Sequence, residues 1–527
     1  MKTLIRYTSF FVLLAIFLSG CKKDLGNYNY SMVDSVFIKN MEETYTLKAG
    51  ISPSIQPEII HFSGKAFHPD DYTFKWSAFK QGANQTPYIL GEEQNLDKMP
   101  PIPLGEYHVY YTVMEKSTNI SWSKGFTLKI TPGYNGGWMI LSEDGGNSRL
   151  DFFEYDHSTA SYPLVHRNFQ KEIKDSKGNL IPFTGKPKFI ETWNNAVDAT
   201  GPAMKYFVYI GTENSTEKIN LTDGFIWNDQ YSFKFETANP SLFQTVDAIR
   251  PTDSRDGYVV KGNDVYFKLA IYQLAVGTPI NRLEDGYYFK VSPYVATYSS
   301  YSPACLMYDE TNKRFVRNGN YAAVSSSPLP YNSDNSAFNP NDVGMDLVWM
   351  NQTLALGGQA YAVLKKGTKY FLARMDNNSN FSARYLDDIT SAPEISNASR
   401  FEVDNRYGYL QYVVGGKIYQ YDPNDKTTKL MKDYGNRQIS VFKYLRSTYV
   451  SLGTVTNPKN TETYGKRFLP LATGLIVATF DPNSPATSGK VDVLNVPQFN
   501  APFSTFYSFD GFGKVADATE AEVPFGW

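Results

Sequence analysis

Cysteine is nearly absent. The 527 residues hold two, Cys21 and Cys305, too few for a disulfide framework. Histidine is scarce too, and all five (His61, His68, His108, His157 and His166) fall in the first third. Everything beyond residue 166 therefore lacks the usual general base and the usual transition-metal ligand. There is no excess of positive charge: 51 Lys and Arg stand against 53 Asp and Glu, a net charge of −2, so nothing is available to neutralise phosphates and nucleic acid is not an expected partner. Outside residues 10–18 no long apolar run occurs, nor any long segment with apolar residues at helical spacing. The sequence has no HExxH, no GxSxG with a partner histidine, no GxGxxG and no P-loop.

The one apolar run carries an address. Lys2 and Arg6 form a positive n-region, Phe10 to Leu18 an apolar h-region, and Ser19 and Gly20 are the small residues a signal peptidase needs. The run is too short to cross a hydrocarbon core of roughly 30 Å. Leu18-Ser19-Gly20-Cys21 resembles a bacterial lipobox, which implies a signal peptide over 1–20, acylation of Cys21, a tether over 21–25 and outer-membrane lipid as a partner. Several acyl chains, at about 0.8 kcal/mol per buried CH₂, hold a protein at a membrane without a transmembrane helix. Lys22-Lys23-Asp24 resembles the charged surface-export signal of Bacteroidetes lipoproteins, though poorer in acids, and favours the outer face. Cys305, left without a partner in an apolar run from Ala304 to Tyr308, reads as a buried small hydrophobe.

Aromatic residues, 15% of the chain, recur in runs such as Tyr206 to Ile210 and Tyr409 to Val414 bounded by turn formers, which is a strand signal. The expected fold class is all-β. From 26 to 132 short strands suggest an immunoglobulin-like sandwich, with Trp76 mid-strand, Tyr107, Val109, Tyr111 and Val113 on one face, and Phe126, Leu128 and Ile130 on alternate positions. Trp76 followed by Gly105, Tyr107 and Val109 is similar to the PKD family, in which a tryptophan strand precedes a G-x-Y-x-V strand.

The Pro/Gly run from Pro132 to Gly137 makes a hinge over 133–137. From 138 to 527 strands end in an aromatic, an Asp and turn formers: Tyr155-Asp156-His157, Tyr308-Asp309-Glu310, Tyr421-Asp422-Pro423-Asn424 and Phe480-Asp481-Pro482-Asn483. Each carboxylate is placed to accept from backbone N–H groups of its turn. About 390 residues at roughly 40 to 60 per repeat predict a divergent β-propeller of about seven blades, with an array of sandwiches as the alternative. Phe503 to Phe509 is the stretch expected to pair with the first blade and close the ring.

Chemistry is harder to place. Ser142 to Gly146 faintly resembles the Asp-box turn of sialidase propellers but occurs once, and reads as a turn. Asp253, Asp256 and Asp264 lie close together without a calcium-loop pattern and read as a solvated loop, so no cofactor is assigned. His108 reads as a solvent-facing strand residue. Flat aromatic faces at loop positions are the remaining candidates for a glycan or peptide site, namely Trp193, Trp227, Tyr298, Tyr301 and Trp349. The whole arrangement is similar to the PKD-like lipoproteins of Bacteroidetes. That resemblance implies association with a SusC/SusD-type uptake system, and the residues themselves, without a catalytic motif, lead to the expectation of a non-catalytic protein that binds glycan or peptide or braces a partner. A surface hydrolase or lyase, and an adhesin, are the other functional classes the sequence leaves open.

Overall fold

The computed structural model describes residues 34–521, apart from 50–52, 81–85, 101, 132, 157–158, 176, 198–203, 223, 253–255, 270–275, 299–303, 320–322, 377–379 and 446–465. Cys21 and the lipobox run, Pro132, His157, Asp253 and Tyr301 lie outside the described residues. The fold is all-β, with one eight-residue α-helix, α1 (Lys466–Thr473), and short 3-10 turns among the described residues. The chain divides into two compact units: one of residues up to 45, 52–100 and 106–128, the other of 46–51, 101–105 and everything from 129 on.

The N-terminal sheets comprise β1 (Val36–Lys39), β2 (Thr44–Lys48), β3 (Glu58–His61), β4 (Tyr72–Lys80), β5 (Tyr88–Gly91), β6 (Gly105–Glu115) and β7 (Ser121–Thr131). β1 pairs with β3, and the others form a five-stranded sheet in the order β2-β7-β6-β4-β5. On β6 the alternation is as expected: Tyr107, Val109, Tyr111 and Val113 are buried, while His108 and Tyr110 face solvent. Trp76 is fully buried, stacks on Tyr111 at 4.1 Å between ring centroids, and donates its indole N–H to the Glu93 carbonyl at 2.9 Å. That hydrogen bond lets a polar indole sit in an apolar core.

Among the described residues the second unit contains seven antiparallel sheets in chain order. The first begins with β8 (Gly137–Asp144), β9 (Asn147–Asp156) and β10 (Ser161–His166), the second is β11 (Pro187–Val197), β12 (Met204–Thr212) and β13 (Thr216–Asn220). The third is β14 (Ala248–Pro251), β15 (Asp256–Lys261) and β16 (Asp264–Leu269). The fourth is β17 (Ala296–Tyr298), β18 (Ala304–Asp309), β19 (Arg314–Asn318) and β20 (Ser327–Pro328). The fifth is β21 (Asp346–Thr353), β22 (Gln359–Lys366), β23 (Lys369–Asp376) and β24 (Ala383–Asp388). β25 (Arg400–Val403), β26 (Leu410–Val414), β27 (Lys417–Asp422) and β28 (Thr427–Asp433) make the sixth. The seventh is β29 (Gln438–Tyr444), β30 (Leu475–Phe480), β31 (Gly489–Asn495) and β32 (Ser504–Phe512). β33 (Val515–Ala521) then returns to the first sheet and pairs with β8, from Val515 opposite Ser142 to Ala521 opposite Gly137.

Each consecutive pair of sheets encloses its own hydrophobic cluster. A further cluster joins Trp138 and Phe153 of the first sheet to Val441, Ile476 and Val491 of the seventh. Most strands are consequently covered on both faces; all six residues of β18 are buried, Cys305 among them. Three of the four turn carboxylates accept backbone N–H groups as the sequence predicts, while Asp156 accepts from the Thr159 hydroxyl at 2.9 Å. Asp309 Oδ1 accepts from the N–H of Thr311 and Asn312, both at 3.1 Å, Asp422 Oδ1 from Asn424 and Asp481 Oδ1 from Asn483, each at 2.9 Å. Between β8 and β9, Gly145 and Gly146 both have positive φ (57° and 82°), the conformation of a tight two-residue hairpin.

The expectation for Phe503 to Phe509 needs correction. That stretch belongs to β32 and pairs with β31, and the strand that reaches the first sheet is β33. Val515-Ala516-Asp517-Ala518-Thr519-Glu520-Ala521 has two acids and three alanines, which lowers its strand propensity.

Candidate functional site

The first strands of the sheets meet around a cavity. On β25, Phe401 and Val403 are buried in the cluster between the fifth and sixth sheets, so strand alternation sends Arg400 and Glu402 the other way. Arg250 of β14, Tyr294 just before β17, Trp349 and Asn351 of β21, and Lys443 of β29 complete the polar and aromatic wall of a cavity of about 300 Å³. Behind Lys443 lie Asp517 of β33, 2.7 Å from its Nζ, and Glu191 of β11 at 3.7 Å. Residues on or next to the first strands of all seven sheets thus contribute to one polar centre.

Its charges are unequally matched. Burial pulls the Lys443 ammonium down, but Asp517 and Glu191 outweigh it and hold the group above the usual lysine range. Glu402 accepts from Asn351 Nδ2 at 3.2 Å and from the Val403 N–H at 2.9 Å. Gln352 and Thr297 lock β21 to β17 through a 2.6 Å bond from Gln352 Nε2 to Thr297 Oγ1. The two arginines differ from these. Arg250 donates to the carbonyl of its own neighbour Ile249 at 3.3 Å, and Arg400, though reached by water, is walled in enough that desolvation lowers its pKa, against the pull of Tyr294 and Asp517.

A second buried polar cluster lies between the second and third sheets. Glu236 is flanked by Lys218 at 2.5 Å and by Lys268, and the two ammonium groups rest on aromatic rings, Lys218 on Phe207 and Lys268 on Trp193 and Phe233. These rings hold the chain's own cations in a closed space.

Of the aromatics singled out from the sequence, Trp193 and Trp349 lie in strands rather than loops, and both are buried, at 1% and 6% exposure. The reason is architectural: a large ring on a first strand fills the space between two sheets. Trp227 is buried as well and donates to Glu217 Oε2 at 3.2 Å. Tyr298 ends β17. Among these Trp349 lines the cavity, where it also packs on Phe401. The sequence reading missed Arg250, Arg400, Glu402 and Lys443. Their signal is a charge alternating with buried apolar residues in the first strand of a repeat, as in Arg400-Phe401-Glu402-Val403 and Phe442-Lys443-Tyr444.

A family model described as "PKD-like family" matches residues 21–187, a span that takes in the five-stranded sheet and runs on through β8 to β10. No curated protein matches the chain. Among solved structures it is similar to a quinonprotein alcohol dehydrogenase-like protein of Bacteroides thetaiotaomicron, at 12% identity and a TM-score of 0.42, covering 93% of this chain and 99% of that one. It is similar also to the extracellular domain of a one-component system of the same organism, at 9% identity and a TM-score of 0.34, covering 93% and 68%. A third is dipeptidyl peptidase 4 of Porphyromonas gingivalis, at 10% identity and a TM-score of 0.32, covering 72% and 55%.

Proposed function

We propose that this chain is a lipid-anchored binding protein of the outer membrane, that its seven sheets are the blades of one β-propeller, and that it captures a nutrient for a SusC/SusD-type importer without chemically changing it. The observation that carries the reading is the cavity on the first strands, with aromatic surface and hydrogen-bonding groups together, the usual make-up of a small-molecule site. Its described lining supports binding over hydrolysis. Glu402 is the carboxylate of that lining, and the two acids behind it, Asp517 and Glu191, are held by Lys443, whereas a glycosidase needs two carboxyl groups facing each other across a cleft of roughly 5 to 10 Å. The Ser399 hydroxyl in the wall donates to the Val413 carbonyl and has no histidine beside it. The anchor rests on Leu18 to Cys21, and the PKD-like match begins at that cysteine.

The test is made in the native membrane. Wild-type protein extracted in mild detergent is expected to carry acyl chains and to bring outer-membrane importer subunits with it, and Cys21→Ala is expected to lose both the acylation and the membrane partition. A Cys21→Ala protein that matures and partitions like wild type contradicts the anchor, and release of cleaved product from a glycan or peptide panel contradicts the binding role.

A further inference from the structure

We infer that the cavity takes its ligand by an oxyanion, and specifically a carboxylate, held between the guanidinium groups of Arg250 and Arg400. This rests on the binding reading above and names the ligand's chemistry. Four arginines elsewhere in the second unit stand beside acids, Arg149 and Arg167 with Asp151, Arg314 with Asp309 and Arg374 with Asp387, while the half-buried Arg317 and Arg437 give their guanidinium N–H groups to neutral acceptors, Asn380 for the one and Thr479 and Ser488 for the other. Lys443, in the same cavity, has Asp517 and Glu191. For Arg250 and Arg400, no carboxylate among the described residues lies within ion-pair distance. Each guanidinium has five N–H donors, and the 3.3 Å bond from Arg250 to Ile249 is the one hydrogen bond the two make with described residues.

Arg250 is half-buried and Arg400 is reached by solvent, so both are open to an arriving anion, and pairing in this partly desolvated space gains more than it would in bulk water. Both arginines line the same cavity as Tyr294, and both oppose the rise that burial gives the Tyr294 hydroxyl. A planar fork matches a planar carboxylate through paired N–H···O bonds. Glu402 decides between anions: two residues from Arg400 on one strand face, it sits about 6.6 Å along the strand from it, close enough to penalise a dianion such as phosphate more than a monoanion. Trp349 and Tyr294 supply the flat surface against which the organic body of such a ligand rests.

Glucuronate and glucose form a matched pair of probes, one ring with and without the carboxylate, and calorimetry on the full lipidated protein reads their binding beside benzoate, inorganic phosphate and a neutral dipeptide amide. Glucuronate or benzoate is expected to bind, glucose far more weakly, and Arg250→Gln and Arg400→Gln each to weaken the carboxylate by roughly tenfold or more. The melting temperature of the free variants is expected to stay level or rise, because a partnerless cation has gone; a merely structural arginine would lower it. Carboxylates that bind the variants as well as wild type, phosphate that binds more tightly than either carboxylate, or variants that melt earlier overturn the assignment. Glucose or the dipeptide amide binding with dependence on Trp349, while no carboxylate binds, overturns the anion and leaves the cavity reading standing. No binding of any probe overturns both.

Discussion

Cys305 and Asp404 show how burial alone sets chemistry in this protein. The Cys305 thiol is enclosed between the third and fourth sheets, and burial pushes its pKa up to about 12. It is therefore almost wholly protonated at neutral pH, and the thiolate is the reactive form. Iodoacetamide is expected to leave Cys305 unmodified in the native protein and to label it in denaturant; rapid native labelling would contradict the packing. Asp404 is also buried, and desolvation raises it to about 6, although the backbone N–H groups of Tyr407 and Gly408 donate to its carboxylate. A carboxyl raised above its unfolded value contributes stability below about pH 4 that is lost as pH climbs through 6, a span worth about 3 kcal/mol at most. Asp404→Asn keeps an acceptor for the two N–H groups and removes the titration. Urea unfolding should show the variant gaining on wild type between pH 4 and 7, and a difference that stays flat with pH would contradict the assignment. At this scale the sequence was legible where one residue's polarity decides its face, as for His108 outside and Cys305 inside. Arg400 was not, because which charge meets a cavity depends on seven strands far apart in the chain.

Among the elements, the strands with both faces covered explain what was readable and what was not. Runs such as Ala304 to Asp309 advertise themselves by aromatic and apolar content without alternation, as strands between two layers do. The outer strands β10 and β28 are largely exposed. The turns were legible because an Asp at a strand end makes its own local hydrogen bonds, independent of the fold. β33 was not legible, since its place depends on pairing with β8 nearly four hundred residues earlier rather than on its own propensity. Its entry depends on a close approach: a Cβ on Gly513 would meet the Glu143 carbonyl oxygen at 2.0 Å. Gly513→Ala is therefore expected to destabilise the second unit by about 1–3 kcal/mol, read as an earlier midpoint in urea, whereas Gly262→Ala, where open space surrounds the Cβ but φ is +62°, is expected to cost no more than about 1–2 kcal/mol of turn strain. Equal stability of Gly513→Ala and wild type would contradict the β8–β33 junction.

For the molecule as a whole, the sheets of the second unit share hydrophobic clusters with their neighbours, and β33 returns to pair with β8. That arrangement brings the first strands together and creates the polar centre in which Arg250 and Arg400 have no carboxylate within ion-pair distance among the described residues. The sequence indicated an all-β chain with turn-bounded strands, and of the aromatics it singled out Trp193 and Trp227 are packed between sheets while Trp349 lines the cavity. The most direct test of the central claim is native mass spectrometry of the protein purified from the cells that make it, compared with Arg400→Gln prepared in parallel. The account predicts that part of the wild-type population carries a small organic acid and that this mass is missing from the variant. A small-molecule mass retained equally by both proteins would contradict it.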